Sequence, residues 1–157
     1  MSSRFTRHDL VQTTDYTEFE FLCHDLMSRE GYKDIEPLGR SNDKGRDAIH
    51  TSKTDETVTI FAYSVREDAE RKLFEDLATI QKHQHICHQV VFVTTSELSA
   101  TKKDNLKVCV KEKYGWGLEI YDLERIAAVC QILCKSWQPG SLAGIGIFLN
   151  VNPRITA

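Results

Sequence analysis

The sequence predicts an α/β domain in which a mixed β-sheet is flanked by helices on both faces. Three observations lead to this fold class. Helical and strand patterns alternate along most of the chain. Two neighbouring strand patterns are separated only by a short polar turn, which is typical of an antiparallel hairpin. A third strand pattern, Gln89–Thr95, is continuously apolar and β-branched, as expected where both faces of a sheet are covered.

The first predicted helix begins near Asp15 and ends before Gly31. Its apolar residues recur at helical spacing; they are Phe19, Leu22, Cys23, Leu26 and Met27. Either Asp15 with Glu18 or Thr17 with Glu20 fits a capping box at its start. A short extended piece, 33–38, and a polar turn, 39–45, follow.

The predicted hairpin pairs Asp47–Thr51 with Thr57–Val65 across the polar turn Ser52–Glu56. Asp68 is the expected N-cap of the second helix. The apolar stripe of that helix consists of Ala69, Leu73, Leu77 and Ile80.

The third predicted helix begins after the strand Gln89–Thr95, at Ser99 or at Thr101, where Thr101 and Asp104 fit a capping box. Its expected inner face consists of Leu106, Cys109 and Val110. The strand Leu118–Asp122 and a last helix, Leu123–Cys134, complete the order α-β-β-β-α-β-α-β-α.

Composition places the chain among ordinary folded proteins. It has 157 residues, of which 41% are hydrophobic and 27% charged, and its formal net charge is −3. These values exclude wholesale disorder and a disulfide-dense scaffold. Because the protein is mildly acidic, any contact with nucleic acid must come from a local basic patch rather than from a global field.

Localisation is expected to be cytoplasmic. The amino terminus has no apolar stretch of signal-peptide length, and no run approaches the ~18 apolar residues of a membrane span. The five cysteines are odd in number and scattered, so we expect reduced thiols; they are Cys23, Cys87, Cys109, Cys130 and Cys134.

Two segments are expected along the chain, a domain at 1–135 and a tail at 136–157. No acidic residue occurs after Glu124, and glycines become frequent past Pro139. The tail is interpreted as an edge strand, as an interface for a homo-oligomer or a partner protein, or as the start of a following domain.

Six stretches together resemble the restriction-endonuclease-like (PD-(D/E)XK) superfamily, and especially its Mrr-type branch. They are FEFLCHDLMSREGY, GRSNDKGRDAI, TIFAYSVRED, KLFEDL, VVFVTTSELS and LEIYDLERIA, which span about 15–131. The resemblance implies a restriction-endonuclease-like fold and a Mg²⁺- or Mn²⁺-dependent enzyme that hydrolyses phosphodiester bonds of DNA. It also implies a natural setting as the nuclease effector domain of a prokaryotic defence or restriction protein.

Carried over from that family, Asp47 matches the metal-binding Asp and Glu20 the accessory acidic residue. The third family motif, Gln/Glu-x-Lys, is replaced here by Ala62-Tyr63-Ser64. The usual ligand and the usual lysine are therefore both absent. The Tyr63 carbonyl and water molecules remain as further ligands for Mg²⁺, which keeps much of its hydration shell. Ser64 stands in the lysine position and is a candidate catalytic residue.

Two interpretations of the missing motif stay open. In the first, Lys72 on the following helix has taken over the role of the lysine. In the second, the site is inactive, and the domain binds DNA or a protein partner without cutting. Lys72 can also be an ordinary surface lysine that pairs with Asp76 at helical i, i+4 spacing.

Three basic residues near Asp47 are candidate DNA-binding residues, namely Arg40, Lys44 and Arg46. They would contact phosphates without reading sequence. The simpler alternatives are that they are solvated surface charges and that Asp47 is a turn residue paired with one of them. For Glu20, the simpler alternative is a capping-box residue paired with Thr17.

Overall fold

The computed structural model describes residues 7–13, 15–38 and 44–136, with only the backbone described at 132–136. Its helices are α1 (Arg7–Gln12), α2 (Tyr16–Arg29), α3 (Ala69–Lys82), α4 (Ala100–Tyr114) and α5 (Leu123–Ser136). Its strands are β1 (Glu36–Pro37), β2 (Ala48–Thr51), β3 (Val58–Ser64), β4 (Gln89–Thr94) and β5 (Gly117–Tyr121). Residues 137–157 of the predicted tail and residues 39–43 of the predicted turn lie outside the described residues.

The five strands form one mixed sheet in the order β1-β2-β3-β4-β5. The first three strands are antiparallel, and β3, β4 and β5 are parallel. The predicted hairpin is confirmed, because Thr51 pairs with Val58 and Ala48 with Phe61. The parallel strands are joined by α3 and α4, as expected for crossover connections in such a sheet.

Alternation along β3 divides the core between the two faces of the sheet. Phe61 and Tyr63 belong to the cluster that α2 and α5 cover. Ala62 belongs to the cluster that α3 and α4 cover, where it packs with Leu73 and Leu77. Helices therefore flank both faces of a mixed sheet, and the fold class expected from the sequence is confirmed.

Helix starts follow local side-chain chemistry. Asp15 caps α2 by accepting hydrogen bonds from the backbone N–H groups of Thr17 and Glu18. The alternative box of Thr17 and Glu20 is wrong, since α2 already begins at Tyr16. Glu20 therefore lies in the second turn of the helix rather than at the third position after its N-cap.

At α4 the cap is Ser99, which accepts from the Lys102 N–H at 3.2 Å. The box of Thr101 and Asp104 is therefore wrong. Asp68 occupies the expected N-cap position of α3, but its carboxylate pairs with Arg66 and makes no capping bond.

Three further features differ from the sequence-based expectations. Helix α1 was not predicted, because six residues with one buried side chain, Leu10, are too short to display a period. Cys109 is exposed, so the inner face of α4 consists of Leu106 and Val110. The extended piece at 33–38 contains only a two-residue strand.

No helix of the described residues is long and apolar enough to cross a membrane.

Candidate active site

Asp47 lies immediately before β2, at the point where β2 and β3 begin to separate. Its backbone N–H donates to the Phe61 carbonyl at 2.9 Å, and its carbonyl accepts from the Leu38 N–H at 3.0 Å. Its carboxylate Oδ2 accepts from the Tyr63 N–H at 2.6 Å. The Asp47 side chain thus accepts from the Tyr63 N–H of β3, which lies beyond the last backbone pair of the hairpin. This bond fixes the carboxylate at the end of the sheet.

A second donor reaches the Asp47 carboxylate from α2. The Tyr16 hydroxyl donates to Oδ1, and only 9% of Asp47 remains exposed. Charge-assisted hydrogen bonds of this kind are stronger than neutral ones. Tyr16 was not recognised in the sequence; the one available signal was an aromatic residue directly after the N-cap of a helix.

Glu20 follows Tyr16 by four residues and therefore lies on the same face of α2. Burial, and then the negative charges of Asp47 and Glu20, raise the pKa of the Cys23 thiol. Burial is also the main reason that the pKa of Tyr63 is raised, with further contributions from Cys23, Asp47, Tyr16 and Glu20. The two carboxylates thus act on the same buried groups, so the structure brings Asp47 and Glu20 into one neighbourhood.

The third-motif positions are buried in the structure. Ala62 is fully buried against α3, and Ser64 is 2% exposed. The Ser64 Oγ accepts from the Arg66 N–H at 3.1 Å, which fixes the chain as it leaves β3. The structure therefore assigns Ser64 a structural bond at the end of the strand.

Lys72 lies in the first turn of α3, and its Nζ donates to Asp76 Oδ1 at 2.5 Å. The i, i+4 pair of Lys72 and Asp76, which the sequence offered as the simpler alternative for Lys72, is thus present. The Lys72 side chain is 26% exposed and that of Asp76 is 8% exposed, so the pair is shielded from water. A sequence signal for Asp76 existed, because this acid falls within the apolar stripe of Leu73, Leu77 and Ile80.

The loop that carries Asp47 lies directly on α3. Gly45 has φ +82°, and a Cβ built on it would lie 2.8 Å from the Asp76 carbonyl oxygen and 3.1 Å from the Thr79 Cβ. Only glycine combines this left-handed backbone with so close an approach. The contact places the Asp47 loop against the turn of α3 that carries Asp76, the partner of Lys72.

Of the three candidate DNA-binding residues, Lys44 is exposed and Arg46 is half-buried. Arg40 lies outside the described residues. Among residues 7–13, 15–38 and 44–131, no group of three or more His, Cys, Asp and Glu side chains is arranged to hold a metal ion. A metal at this site would therefore depend on two carboxylates, backbone oxygen and water.

This geometry defines a class. A mixed sheet with helices on both faces, an Asp before the second strand and an acidic residue on the preceding helix form a restriction-endonuclease-like domain. The Mrr_cat restriction endonuclease family matches residues 11–130, most of the chain. The chain belongs to this family, and the resemblance noted in the sequence is confirmed. No curated protein matches the chain.

Proposed function

We propose that this nuclease-family domain is a Mg²⁺-dependent DNA endonuclease, with Mn²⁺ as an alternative metal. The observation that carries the proposal is the Asp47 carboxylate. It is buried at the end of the sheet and oriented by two donors, the Tyr16 hydroxyl and the Tyr63 N–H. A buried carboxylate held in one orientation is what a metal site requires of its ligands.

The donor set suits a hard cation. Asp47 and Glu20 supply carboxylate oxygen, and Mg²⁺ is commonly held by one or two carboxylates with several waters. The N–H and C=O groups of one strand residue point to the same side. The Tyr63 carbonyl therefore faces the same edge as the N–H that binds Asp47, and it is our third proposed ligand. When bound, the metal would polarise a phosphate and lower the pKa of its water.

The remaining roles follow from charge and position. Lys72 is proposed to place its ammonium beside the negative charge that develops on the phosphate. Ser64 remains a candidate catalytic residue only if its hydroxyl exchanges the Arg66 bond for a substrate contact. Arg40, Lys44 and Arg46 are proposed to contact DNA phosphates.

We further propose that the domain acts in the cytoplasm, as the nuclease effector of a prokaryotic defence or restriction protein. The cysteines with described side chains support a reducing compartment, because all of them are free thiols; they are Cys23, Cys87, Cys109 and Cys130.

A second candidate function is an inactive module that binds DNA or a protein partner. The observation that favours it is the third motif, where Ala62 and Ser64 are both buried and carry neither an acid nor a lysine. In this case Asp47 would serve only to close the end of the hairpin.

Plasmid cleavage with Mg²⁺ or Mn²⁺ separates the two candidates. The variant is Asp47→Asn, which keeps the size of the side chain and removes its charge. The matched control is Asp55→Asn, at the opposite end of the hairpin, where the carboxylate also accepts a backbone N–H, that of Thr57 at 3.1 Å.

We expect wild type and Asp55→Asn to cut and Asp47→Asn to lose about 10²-fold or more of the rate, as for other essential electrostatic groups. Cutting that survives Asp47→Asn refutes the site. No cutting by wild type with any of the metals, together with DNA binding in a gel-shift assay, supports the inactive module.

A further inference from the structure

Two ion pairs of the same spacing lie on α3, and their surroundings differ. Arg71 and Glu75 pair at 2.9 Å with side chains that are 76% and 44% exposed. Lys72 and Asp76 pair at 2.5 Å with side chains that are 26% and 8% exposed. In the first pair Glu75 also accepts from Arg66 at 2.9 Å, and all three side chains are at least 40% exposed, so these bonds have small energetic value. The second is largely withdrawn from water.

Withdrawal of an ion pair from water costs free energy that the attraction between the charges only partly offsets. An apolar residue at position 76 would continue the stripe formed by Leu73 and Leu77 and would avoid this cost. Stability alone therefore does not explain an acid at this position, and its location offers another explanation.

That location is the contact between α3 and the Asp47 loop. The backbone of Asp76 is the surface on which Gly45 lies, two residues before Asp47. Ala62, which replaces the ligand residue of the third motif, packs in the same cluster as Leu73 and Leu77, the neighbours of Lys72 and Asp76 on this helix. The helix that carries the pair therefore contacts the Asp47 loop through Gly45 and shares a buried cluster with Ala62 of the third motif.

We infer that Asp76 is a positioning residue for Lys72, an inference that rests on the proposed nuclease function. Its carboxylate holds the end of a long, flexible side chain beside the Asp47 loop. A lysine ammonium has three N–H donors, and the bond to Asp76 uses one. In the usual motif the lysine is held by its strand, whereas here a helix and a carboxylate supply the restraint.

The first test measures the position of Lys72 without any metal, DNA or activity. Amine-labelling rates of the folded protein are compared at Lys72 and at Lys53, which pairs with Asp34 at 2.8 Å in an exposed setting, 85% and 71% exposed. Asp76→Asn should raise the labelling rate of Lys72 roughly tenfold, the factor expected when a hydrogen bond between charged groups is lost. Asp34→Asn should change the rate at Lys53 far less.

The second test measures whether Asp76 acts through Lys72. Asp76→Asn should lower kcat about 10- to 100-fold while leaving KM for DNA unchanged. In a Lys72→Gln background it should cause no further loss, because residues that act as a unit are not additive. Glu75→Gln, on the same helix, is the matched control and should retain activity.

A third variant distinguishes a loss of activity from a loss of folding. Lys72→Arg keeps a cation for Asp76 and should keep the melting temperature, but its planar guanidinium replaces the compact ammonium. We expect it to lose activity. Full activity of folded Lys72→Arg would mean that the pair is only structural.

The outcomes separate the two proposals. Wild type that cuts no DNA refutes the proposed function and the catalytic use of Lys72, whatever the labelling shows. Wild type that cuts, with a Lys72 labelling rate that Asp76→Asn does not change, refutes the inference alone. Losses that add fully in the double variant also refute it, because Asp76 would then act independently of Lys72.

Discussion

Replacement of Gly45 by alanine tests the contact that brings the Asp47 loop onto α3. The backbone of Gly45 has φ +82°, where an L-residue costs about 1–2 kcal/mol. The added Cβ would also lie 2.8 Å from the Asp76 carbonyl oxygen, which is backbone and cannot rotate away. Forcing a methyl group into such a contact costs a further ~1–3 kcal/mol. We therefore expect Gly45→Ala to lower the free energy of unfolding by about 2–5 kcal/mol in total.

Gly115 provides the matched control. Its φ is +77°, nearly the same backbone conformation, but nothing lies within 4 Å of a Cβ built there. Gly115→Ala should therefore cost only the conformational part, about 1–2 kcal/mol. Both variants restrict the unfolded chain equally, so this effect cancels in the comparison.

Urea unfolding followed by circular dichroism measures both changes. The difference between the two variants should be about 1–3 kcal/mol, the cost of overpacking alone. If Gly45→Ala and Gly115→Ala destabilise the protein equally, the close approach of the loop to α3 is refuted. In that case Gly45 would not bring the Asp47 loop near the helix turn that carries Asp76 and its partner Lys72.

Three further predictions concern single side chains. Tyr16→Phe should weaken Mn²⁺ binding about 10- to 100-fold in calorimetry, because the Asp47 carboxylate loses a donor that orients it; unchanged affinity would exclude that role. Burial lowers the pKa of His24 in the folded protein. Below about pH 6.5 the unfolded chain therefore binds more protons than the folded one, and the free energy of unfolding decreases as the pH falls. His24→Gln should flatten that fall between about pH 7 and pH 5 in thermal melts, and an unchanged slope would argue against it. Arg7→Gln should change the free energy of unfolding by less than ~1 kcal/mol, since its glutamate pairs are solvent-exposed; a larger loss would mean that α1 depends on them.

The hairpin and the parallel strands could be read from the sequence because their signals are local. Alternation, turn residues and a continuously apolar strand each depend on a few neighbouring residues. The position of Asp47 directly before β2, one residue off the expected strand start, followed from the same signals. Helix α1 lacked such a signal, since a six-residue helix is defined by its packing rather than by its own pattern.

Helix caps show the limit of local reasoning. Two capping boxes fitted the start of α2, and both had acceptable residue types. The structure uses Asp15, and this choice leaves Glu20 one turn further along the helix on the side of Tyr16. The ambiguity arose because a capping motif specifies only residue types at two positions three apart, and such pairs can occur more than once near a helix start. The actual first residue of the helix depends on how the segment packs against the core.

The sequence by itself determined the mixed sheet and the helices on both faces, because periodic burial specifies these features. The family was indicated separately, by the resemblance of six sequence stretches, and the match over residues 11–130 confirms it. Only the tertiary structure decided the surroundings of Asp47. The Tyr16 hydroxyl reaches it from 31 residues away in the chain. Gly45 brings its loop onto the backbone of Asp76, whose carboxylate pairs with the half-buried Lys72. Contacts of this kind depend on how α2 and α3 cross the sheet, and no pattern within either helix encodes that crossing.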